Sequence, residues 1–183
     1  AFIAMEYFPR GDLRSKITKP LPPAVALAYL SQMAAALEAV HEVGVLHRDL
    51  KPGNVMLRAD NSLALIDFGL AKEADFKGEI TGTGEIFGTP YYMSPEQGHG
   101  QSLDQRSDLY SLGVIFYEML TNKKPYLAPT PMGVIYLHGN APLPQLEGDL
   151  TKYQPLVDRL MAKDPADRFA SARDLIDAIG EFA

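Results

Sequence analysis

The sequence predicts a mainly α-helical domain built around one buried central helix, with a small β-hairpin beside it. Residues 104–121 predict the central helix, because apolar side chains cover almost every face of it. Residues 27–43 predict a second helix with one apolar face, since apolar residues recur there at three- and four-residue intervals. Two short apolar stretches, 55–57 and 63–66, are joined by a polar turn and predict the hairpin.

The remaining elements are shorter. Residues 2–8 predict the end of a strand, and Pro22-Pro23 mark a helix start, where the missing N–H of proline is tolerated. Three short helices are predicted near 131–138, 153–162 and 171–180. Ser171 is the expected N-cap of the last one. Residues 67–103 show no sustained periodicity, and so long a stretch inside a domain is usually functional or disordered.

Composition and charge exclude several kinds of site and partner. The chain has no cysteine, which excludes disulfides, thiolate metal sites and cysteine nucleophiles. Its net charge of −6 argues against nucleic-acid binding, which needs clustered Lys and Arg. No apolar run approaches the roughly 20 residues of a membrane span. We therefore expect no membrane segment in this sequence and a cytoplasmic location, with any membrane tether of a longer parent lying outside it.

The strongest functional signal is the segment His47-Arg48-Asp49-Leu50-Lys51-Pro52-Gly53-Asn54. Phosphoryl transfer requires mainly the alignment of a hydroxyl and the neutralisation of phosphate charge. Asp49 can orient a hydroxyl and accept its proton, Lys51 can place positive charge on a phosphate, and the Asn54 oxygen suits Mg²⁺. Most of these residue types also form turns, so the segment alone also fits a surface turn.

Further motifs follow in order along the chain. Asp67-Phe68-Gly69 comes directly after the second hairpin strand, and Gly88-Thr89-Pro90-Tyr91-Tyr92-Met93-Ser94-Pro95-Glu96 lies later in the aperiodic region. Asp108 opens the central helix, where a carboxylate is costly unless it accepts hydrogen bonds. Together these motifs resemble protein kinases of the eukaryotic-like (Hanks-type) serine/threonine class. Lys51-Pro52 and Thr89 are typical of that class, and Ser94-Pro95-Glu96-Gln97 is typical of bacterial members.

The resemblance implies the C-terminal lobe of a kinase catalytic domain over residues 1–183, from the hinge onward, with the N-terminal lobe absent. It implies ATP as cofactor together with Mg²⁺, or Mn²⁺ in its place, held by Asn54 and Asp67. The implied catalytic residues are Asp49, Lys51, Asn54 and Asp67. The implied nucleotide-binding residues are Met5, Glu6, Phe8, Asp12, Met56 and Asp67. Among them, the hinge Met5-Glu6-Tyr7-Phe8 is implied to meet the adenine through backbone groups, Asp12 to reach the ribose and Met56 to lie under the adenine ring.

The resemblance also implies regulatory and structural residues. Arg48, beside the catalytic carboxylate, marks control by activation-loop phosphorylation, since a phosphothreonine can pair with it, and Thr81 and Thr83 are the candidate sites. Thr89 is implied to contact the catalytic carboxylate and lysine where the substrate binds. The implied structural residues are Glu96 and Arg168, which pair with each other, and Asp108, which holds the catalytic loop.

The expected partners are protein substrates with Ser or Thr, the N-terminal kinase lobe, and a second copy through the exposed face of the cleft. A non-catalytic kinase-like binding module is the alternative function. The four retained side chains Asp49, Lys51, Asn54 and Asp67 favour an enzyme, since an inactive relative need not keep them. A small-molecule phosphotransferase is disfavoured because it has no need of the peptide-docking motif at 88–96. We expect the chain by itself to have little activity.

Overall fold

The computed structural model describes residues 6–68 and 90–182, and the fold is mainly helical, as the sequence predicts. Its α-helices are α1 (Pro23–His41), α2 (Pro95–Gly98), α3 (Gln105–Thr121), α4 (Pro131–Asn140), α5 (Gln154–Leu160) and α6 (Ala172–Ile179). The strands β1 (Val55–Leu57) and β2 (Leu63–Leu65) form one antiparallel sheet. Short 3₁₀ turns lie at Pro52–Asn54, Pro90–Tyr92, Gly148–Tyr153, Pro165–Asp167 and Gly180–Phe182.

Helix α3 is the buried centre of the domain. Every residue from Ser107 to Phe116 is buried, and α1 and α5 pack against the helix. Gly113 permits the close approach of α5, because a Cβ at this position would lie 2.7 Å from the Leu160 Cβ. Asn122 ends the helix in the left-handed conformation, with φ of 55°. The predicted central helix over 104–121 is therefore confirmed, with Asp104 as its N-cap.

Helix α1 places one face in the core and packs against α3 and α6. Its buried residues are Ala26, Leu27, Leu30, Met33, Ala34 and Leu37. It begins at Pro23, as predicted, and ends at His41, two residues before the end of the predicted pattern. Of the helices described, α1 alone is long and apolar enough to span a membrane by length and composition. Its buried face is also that of a core helix in a globular protein.

The hairpin lies where residues 11–13 can run beside it. β1 and β2 pair in the register Val55 to Leu65 and Leu57 to Leu63. An isolated bridge joins Asp12 to Met56. The chain that follows the hinge therefore runs alongside β1. The predicted hairpin is confirmed.

The structure adds detail to two local expectations. Residues 6–8 of the predicted strand end at 2–8 have no strand structure, and the rest of that prediction lies outside the described residues. The aperiodic stretch 67–103 contains the Pro90–Tyr92 turn and helix α2, whose N-cap Ser94 accepts a hydrogen bond from the Gln97 amide. A helix of one turn is too short to produce a detectable periodicity. At the other end of the chain, the predicted N-cap Ser171 is confirmed as part of a capping box.

Candidate active site

The loop from His47 to Asn54, called here the catalytic loop, is held through its backbone by a buried carboxylate. Asp108 Oδ2 accepts a hydrogen bond from the His47 amide and Oδ1 accepts one from the Arg48 amide, both at 2.9 Å. Arg48 has φ of 65°, a left-handed conformation that is rare outside glycine. Such strain costs about 1–3 kcal/mol and persists only where the surroundings enforce it. Asp108 supplies that enforcement, as the predicted structural role requires.

The sequence reasoning missed a further, side-chain contact to Asp108. His41, the last residue of α1, has its Nε2 2.8 Å from Asp108 Oδ2. The two side chains are 4% and 3% exposed, so the contact lies in the interior. The signal in the sequence was weak, since a histidine in the last turn of a helix is common. The contact ties the end of α1 to the start of α3 directly behind the catalytic loop.

Three of the predicted catalytic side chains meet at one point. Lys51 Nζ lies 2.8 Å from Asp49 Oδ2. Asn54 Nδ2 donates to the Asp49 backbone carbonyl at 2.9 Å and approaches Asp49 Oδ2 at 3.3 Å. Because its nitrogen is used in this way, the buried Asn54 side chain keeps its Oδ1 as an acceptor. The cluster thus combines a carboxylate, an ammonium and an amide oxygen.

Asp67 is linked to this cluster through the backbone. The Ile66 amide donates to the Asn54 carbonyl at 3.0 Å, which places Asp67 one residue beyond the contact. Asp67 is exposed and has φ of 57°, a second left-handed residue at the site. The strain fits a functional position, since such outliers cluster at active sites.

His47 connects the catalytic loop to the segment around Asp67. Its Nε2 lies 3.0 Å from the Ile66 carbonyl, and its ring centroid lies 4.8 Å from that of Phe68. Burial lowers the pKa of His47, more than the nearby Asp108 charge raises it, so the ring is neutral at pH 7. A neutral ring donates one hydrogen bond, and the Ile66 carbonyl is its acceptor.

The donor set suits a hard divalent cation. Within residues 6–68 and 90–182, no group of three or more His, Asp or Glu side chains is arranged to hold a metal. If Asn54 and Asp67 hold a cation, as the resemblance implies, each would supply one oxygen, and water and phosphate oxygens would complete the shell. This is how Mg²⁺ is usually bound, since it keeps several waters and uses few carboxylates.

The hinge residues are anchored by an arginine that the sequence reasoning missed. Arg58 Nε and a terminal nitrogen lie 2.6 and 3.1 Å from the two carboxylate oxygens of Glu6. This fork-like pair lowers the pKa of Glu6. The Arg58 guanidinium also donates to the Leu63 carbonyl and lies 6.0 Å from the ring of Phe8. The partners Glu6 and Arg58 are 52 residues apart, so no local pattern marks the arginine.

Two other predicted nucleotide-binding residues lie side by side. The bridge between Asp12 and Met56 brings the residue predicted to reach the ribose next to the one predicted to lie under the adenine. Asp12 Oδ1 already accepts a hydrogen bond from the Ser15 amide at 2.8 Å. Its Oδ2 lies 3.4 Å from a terminal nitrogen of the exposed Arg14.

Residues 90–97, called here the docking segment, are the described part of the predicted peptide-docking motif. Ser111 Oγ donates to the Tyr92 carbonyl at 2.6 Å, and Gln97 Nε2 donates to the Arg48 carbonyl at 2.7 Å. The docking segment is thus fastened both to the central helix and to the catalytic loop.

The far end of the docking segment is held by a buried ion pair. The two terminal nitrogens of Arg168 lie 2.7 and 2.8 Å from the two carboxylate oxygens of Glu96. Ser107 Oγ donates to Glu96 as well, at 2.7 Å. Burial raises the pKa of Glu96, but the hydrogen bonds from Arg168 and Ser107 outweigh it and bring the pKa below its usual value. The structure therefore contains the predicted pair in its charged form.

A further charged cluster beside the docking segment was also missed. Tyr92 donates its hydroxyl to Glu118 Oε2 at 2.6 Å, and Lys124 Nζ contacts both the Tyr92 hydroxyl and Glu118. Lys124 also lies over the Tyr92 ring, 4.3 Å from its centroid. The lysine neutralises the partly buried Glu118 carboxylate beside the docking segment.

Four predicted residues lie outside the described ranges: Met5, Thr81, Thr83 and Thr89.

Comparison with known proteins decides the family. A family model described as the protein kinase domain matches residues 1–178. The chain belongs to the protein kinase domain family. This kinase domain is 36% identical to serine/threonine-protein kinase PknB of Mycobacterium leprae over 180 residues. It is 37% identical to serine/threonine-protein kinase drp72 of Corynebacterium efficiens and 39% identical to pkn2 of Myxococcus xanthus.

The alignments cover 95%, 97% and 98% of this kinase domain but only 29%, 35% and 23% of those three relatives. The chain thus spans about a third or less of the length of the curated relatives it matches. The resemblance to bacterial serine/threonine kinases is confirmed. Membership of the family implies the use of ATP and a divalent metal ion.

Proposed function

We propose that this chain is the catalytic and substrate-binding C-terminal lobe of a serine/threonine protein kinase. The reaction is transfer of the γ-phosphoryl group of ATP to Ser and Thr hydroxyls of proteins. The observation that carries the proposal is the meeting of Asp49, Lys51 and Asn54 within hydrogen-bond distance, on a loop fixed by Asp108.

In this proposal each residue of the cluster has a separate task. Asp49 orients the substrate hydroxyl and accepts its proton as the new oxygen–phosphorus bond forms and the bond to ADP breaks. Lys51, held 2.8 Å from Asp49, places a positive charge beside the transferring group. Such fixed charges need no reorganisation during the reaction, which is why they lower the barrier.

Nucleotide and metal are assigned to the neighbouring residues. Asn54 and Asp67 hold Mg²⁺, or Mn²⁺ in its place, which neutralises phosphate charge when bound. Glu6 and Phe8, together with Met5, contact the adenine through backbone groups, above the side chain of Met56. The Arg58–Glu6 ion pair supports this assignment, because it fixes the hinge against the hairpin that carries Met56.

The chain spans about a third or less of the length of its relatives. We infer a longer kinase in which an N-terminal lobe covers the phosphates. The face of the cleft around the hinge is its docking surface, and Tyr7 there is 83% exposed. A second copy of the chain is the alternative occupant of that face.

Phosphorylation of Thr81 or Thr83, read by Arg48, is the proposed activating event. Thr89 is proposed to contact Asp49 and Lys51 beside the bound substrate.

The test is a phosphotransfer assay on the full-length kinase with Mg²⁺ and γ-labelled ATP, using peptide libraries that offer Ser, Thr or Tyr. We expect label on Ser and Thr, and its loss in the Asp49→Asn variant. Label on Tyr alone would overturn the substrate class. Absence of any transfer from the full-length protein, while it binds protein partners, would favour the non-catalytic binding module.

A further inference from the structure

The two ends of the docking segment are held in different ways. At the Glu96 end, a buried ion pair with Arg168 and a hydroxyl from Ser107 satisfy both carboxylate oxygens. At the other end, the Pro90–Tyr92 turn packs against α4, and Ser111 binds the Tyr92 carbonyl. Helix α4 places the side chain of His138 in the interior, beside the Pro90–Tyr92 end of the docking segment.

His138 is 1% exposed and is fixed on several sides. Its Nδ1 lies 2.8 Å from the Tyr110 hydroxyl, and its ring meets the Tyr126 ring edge-on, with centroids 5.0 Å apart. Its backbone carbonyl accepts a hydrogen bond from Lys163 Nζ at 2.7 Å. Neither the ring nor the backbone of His138 is therefore free to turn away from the docking segment.

In its neutral form, the His138 ring has one N–H donor without an acceptor. Burial, together with the positive charge of Lys163, lowers the pKa of His138 to about 4, so the ring is neutral at pH 7. The Tyr110 hydroxyl lies 2.8 Å from Nδ1 but 3.5 Å from the His138 carbonyl, so its proton goes to Nδ1, the much nearer acceptor. The ring proton is then on Nε2, and Nε2 is fully buried without a hydrogen-bond partner within the described residues.

A buried unpaired N–H is unfavourable, so it favours any movement that brings it an acceptor. The Tyr91 backbone carbonyl lies close enough to the ring to favour its protonated form, although no complete hydrogen bond is formed. We propose that His138 is a positioning residue for the docking segment: its Nε2 donates to the Tyr91 carbonyl whenever the segment closes onto α4, which the free chain does part of the time and a bound substrate peptide favours. The proposal rests on the proposed kinase function and deepens it, because it assigns peptide affinity to a residue remote from Asp49.

Two substitutions separate the donor from the rest of the side chain. His138→Asn keeps an oxygen near the position of Nδ1 to accept from Tyr110, and removes the donor at Nε2. His138→Gln reaches the position of Nε2 with an amide N–H, and gives up the acceptor for Tyr110. A purely structural histidine would make both variants comparably unstable and would not distinguish them in peptide binding.

The kinetic experiment uses the full-length kinase and its best peptide from the library. We expect His138→Asn to raise the KM for peptide about tenfold, the value of one hydrogen bond, with kcat and the KM for ATP unchanged. His138→Gln should restore the KM for peptide to near the wild-type value. Equal peptide KM values for the two variants, or a parallel rise in the KM for ATP, would overturn the proposal.

A second measurement does not depend on catalysis. In the 183-residue chain, amide hydrogen exchange is followed at Met93, Gly98 and His99, whose amides bond within the docking segment and the turn after it. Exchange there should be faster in His138→Asn than in His138→Gln, while the Leu175 amide in α6 is unchanged. Uniform acceleration at all four amides, or no difference between the variants, would refute the role of His138. If the full-length protein transfers no phosphate, the proposed function fails while this comparison still decides the positioning role.

Discussion

Arg168 reaches across the domain to Glu96 with both terminal nitrogens, at 2.7 and 2.8 Å, although the two residues are 72 positions apart. The Arg168 side chain is 0% exposed and that of Glu96 is 6% exposed, so neither charge can be solvated if the other is removed. The pair therefore locks the end of the docking segment to the segment before α6.

Arg168→Ala should lower the free energy of unfolding by about 3–5 kcal/mol, because it leaves the Glu96 carboxylate buried without its cation. The matched control is Arg173→Ala, which breaks an ion pair with Glu38 whose arginine side chain is 60% exposed. The free energy of unfolding of Arg173→Ala should fall by less than about 1 kcal/mol. Urea unfolding of the 183-residue chain measures both. Equal losses for the two variants would contradict the importance given to the buried pair.

Asp49→Asn should reduce kcat in the full-length kinase by about 10²–10⁴-fold, because the amide cannot accept the proton of the substrate hydroxyl. ATP binding should be unchanged, since Asp49 is assigned no nucleotide contact. Steady-state kinetics and equilibrium binding of ATP measure the two effects separately. Asp60→Asn, on the exposed hairpin turn, is the control. A fall in ATP affinity as large as the fall in kcat would show that the role is misassigned.

Asp67→Ala should instead weaken Mg²⁺–ATP binding and turnover together, because the substitution removes the proposed carboxylate ligand and leaves only the proposed amide ligand of Asn54. Titration of activity with Mg²⁺ at fixed ATP should move the midpoint to higher metal concentration. Asp177→Ala on the exposed face of α6 provides a matched loss of charge far from the site. An unchanged midpoint in Asp67→Ala would remove this residue from the metal site.

The pKa of His138 predicts a pH dependence of stability. The value is 6.5 in an unfolded chain and about 4 in the folded protein, where burial and the charge of Lys163 oppose protonation. Between these values the unfolded state binds more protons, so the free energy of unfolding falls as pH falls from about 6.5 to 4, by up to about 3 kcal/mol. The Tyr110 and Tyr126 hydroxyls beside the ring stay protonated there, because burial raises the pKa of both.

Urea unfolding at several pH values compares the wild type with His138→Gln. The difference in unfolding free energy between them should shrink as the pH is lowered through this window. Buried His47, whose pKa is also lowered, is present in both proteins and cancels from the comparison. A constant difference between pH 7 and pH 4.5 would contradict the burial of a neutral His138.

The 183-residue chain alone should transfer phosphate poorly. The hinge and Met56 can still hold adenine, but the triphosphate would remain in water, where electrostatic stabilisation is weak. Misplacement of reacting atoms by about 1 Å can cost roughly 100-fold in rate. The assay compares the purified chain with the full-length kinase at equal Mg²⁺–ATP. Equal turnover would mean that a covering lobe is dispensable.

Several parts of the fold could be predicted because their signals are local. The apolar pattern around Leu109 and Phe116 marks a helix buried on all sides, and Ser171 with Asp174 forms a capping box within one turn. The catalytic loop was found for the same reason: its chemistry is carried by residues a few positions apart. In such cases the neighbours that determine the structure are also neighbours in the sequence.

The tertiary structure alone decided the contacts between distant segments. The pairing of His41 with Asp108 spans 67 residues and that of Arg58 with Glu6 spans 52, and neither leaves a periodicity or a motif. Nothing in the sequence distinguishes His138, which the fold encloses between Tyr110 and Tyr126. The sequence by itself thus determined the family and the longer helices, and it supplied the candidate catalytic residues. Folding decided which buried polar groups have partners, because burial and hydrogen bonding depend on segments that meet only in three dimensions.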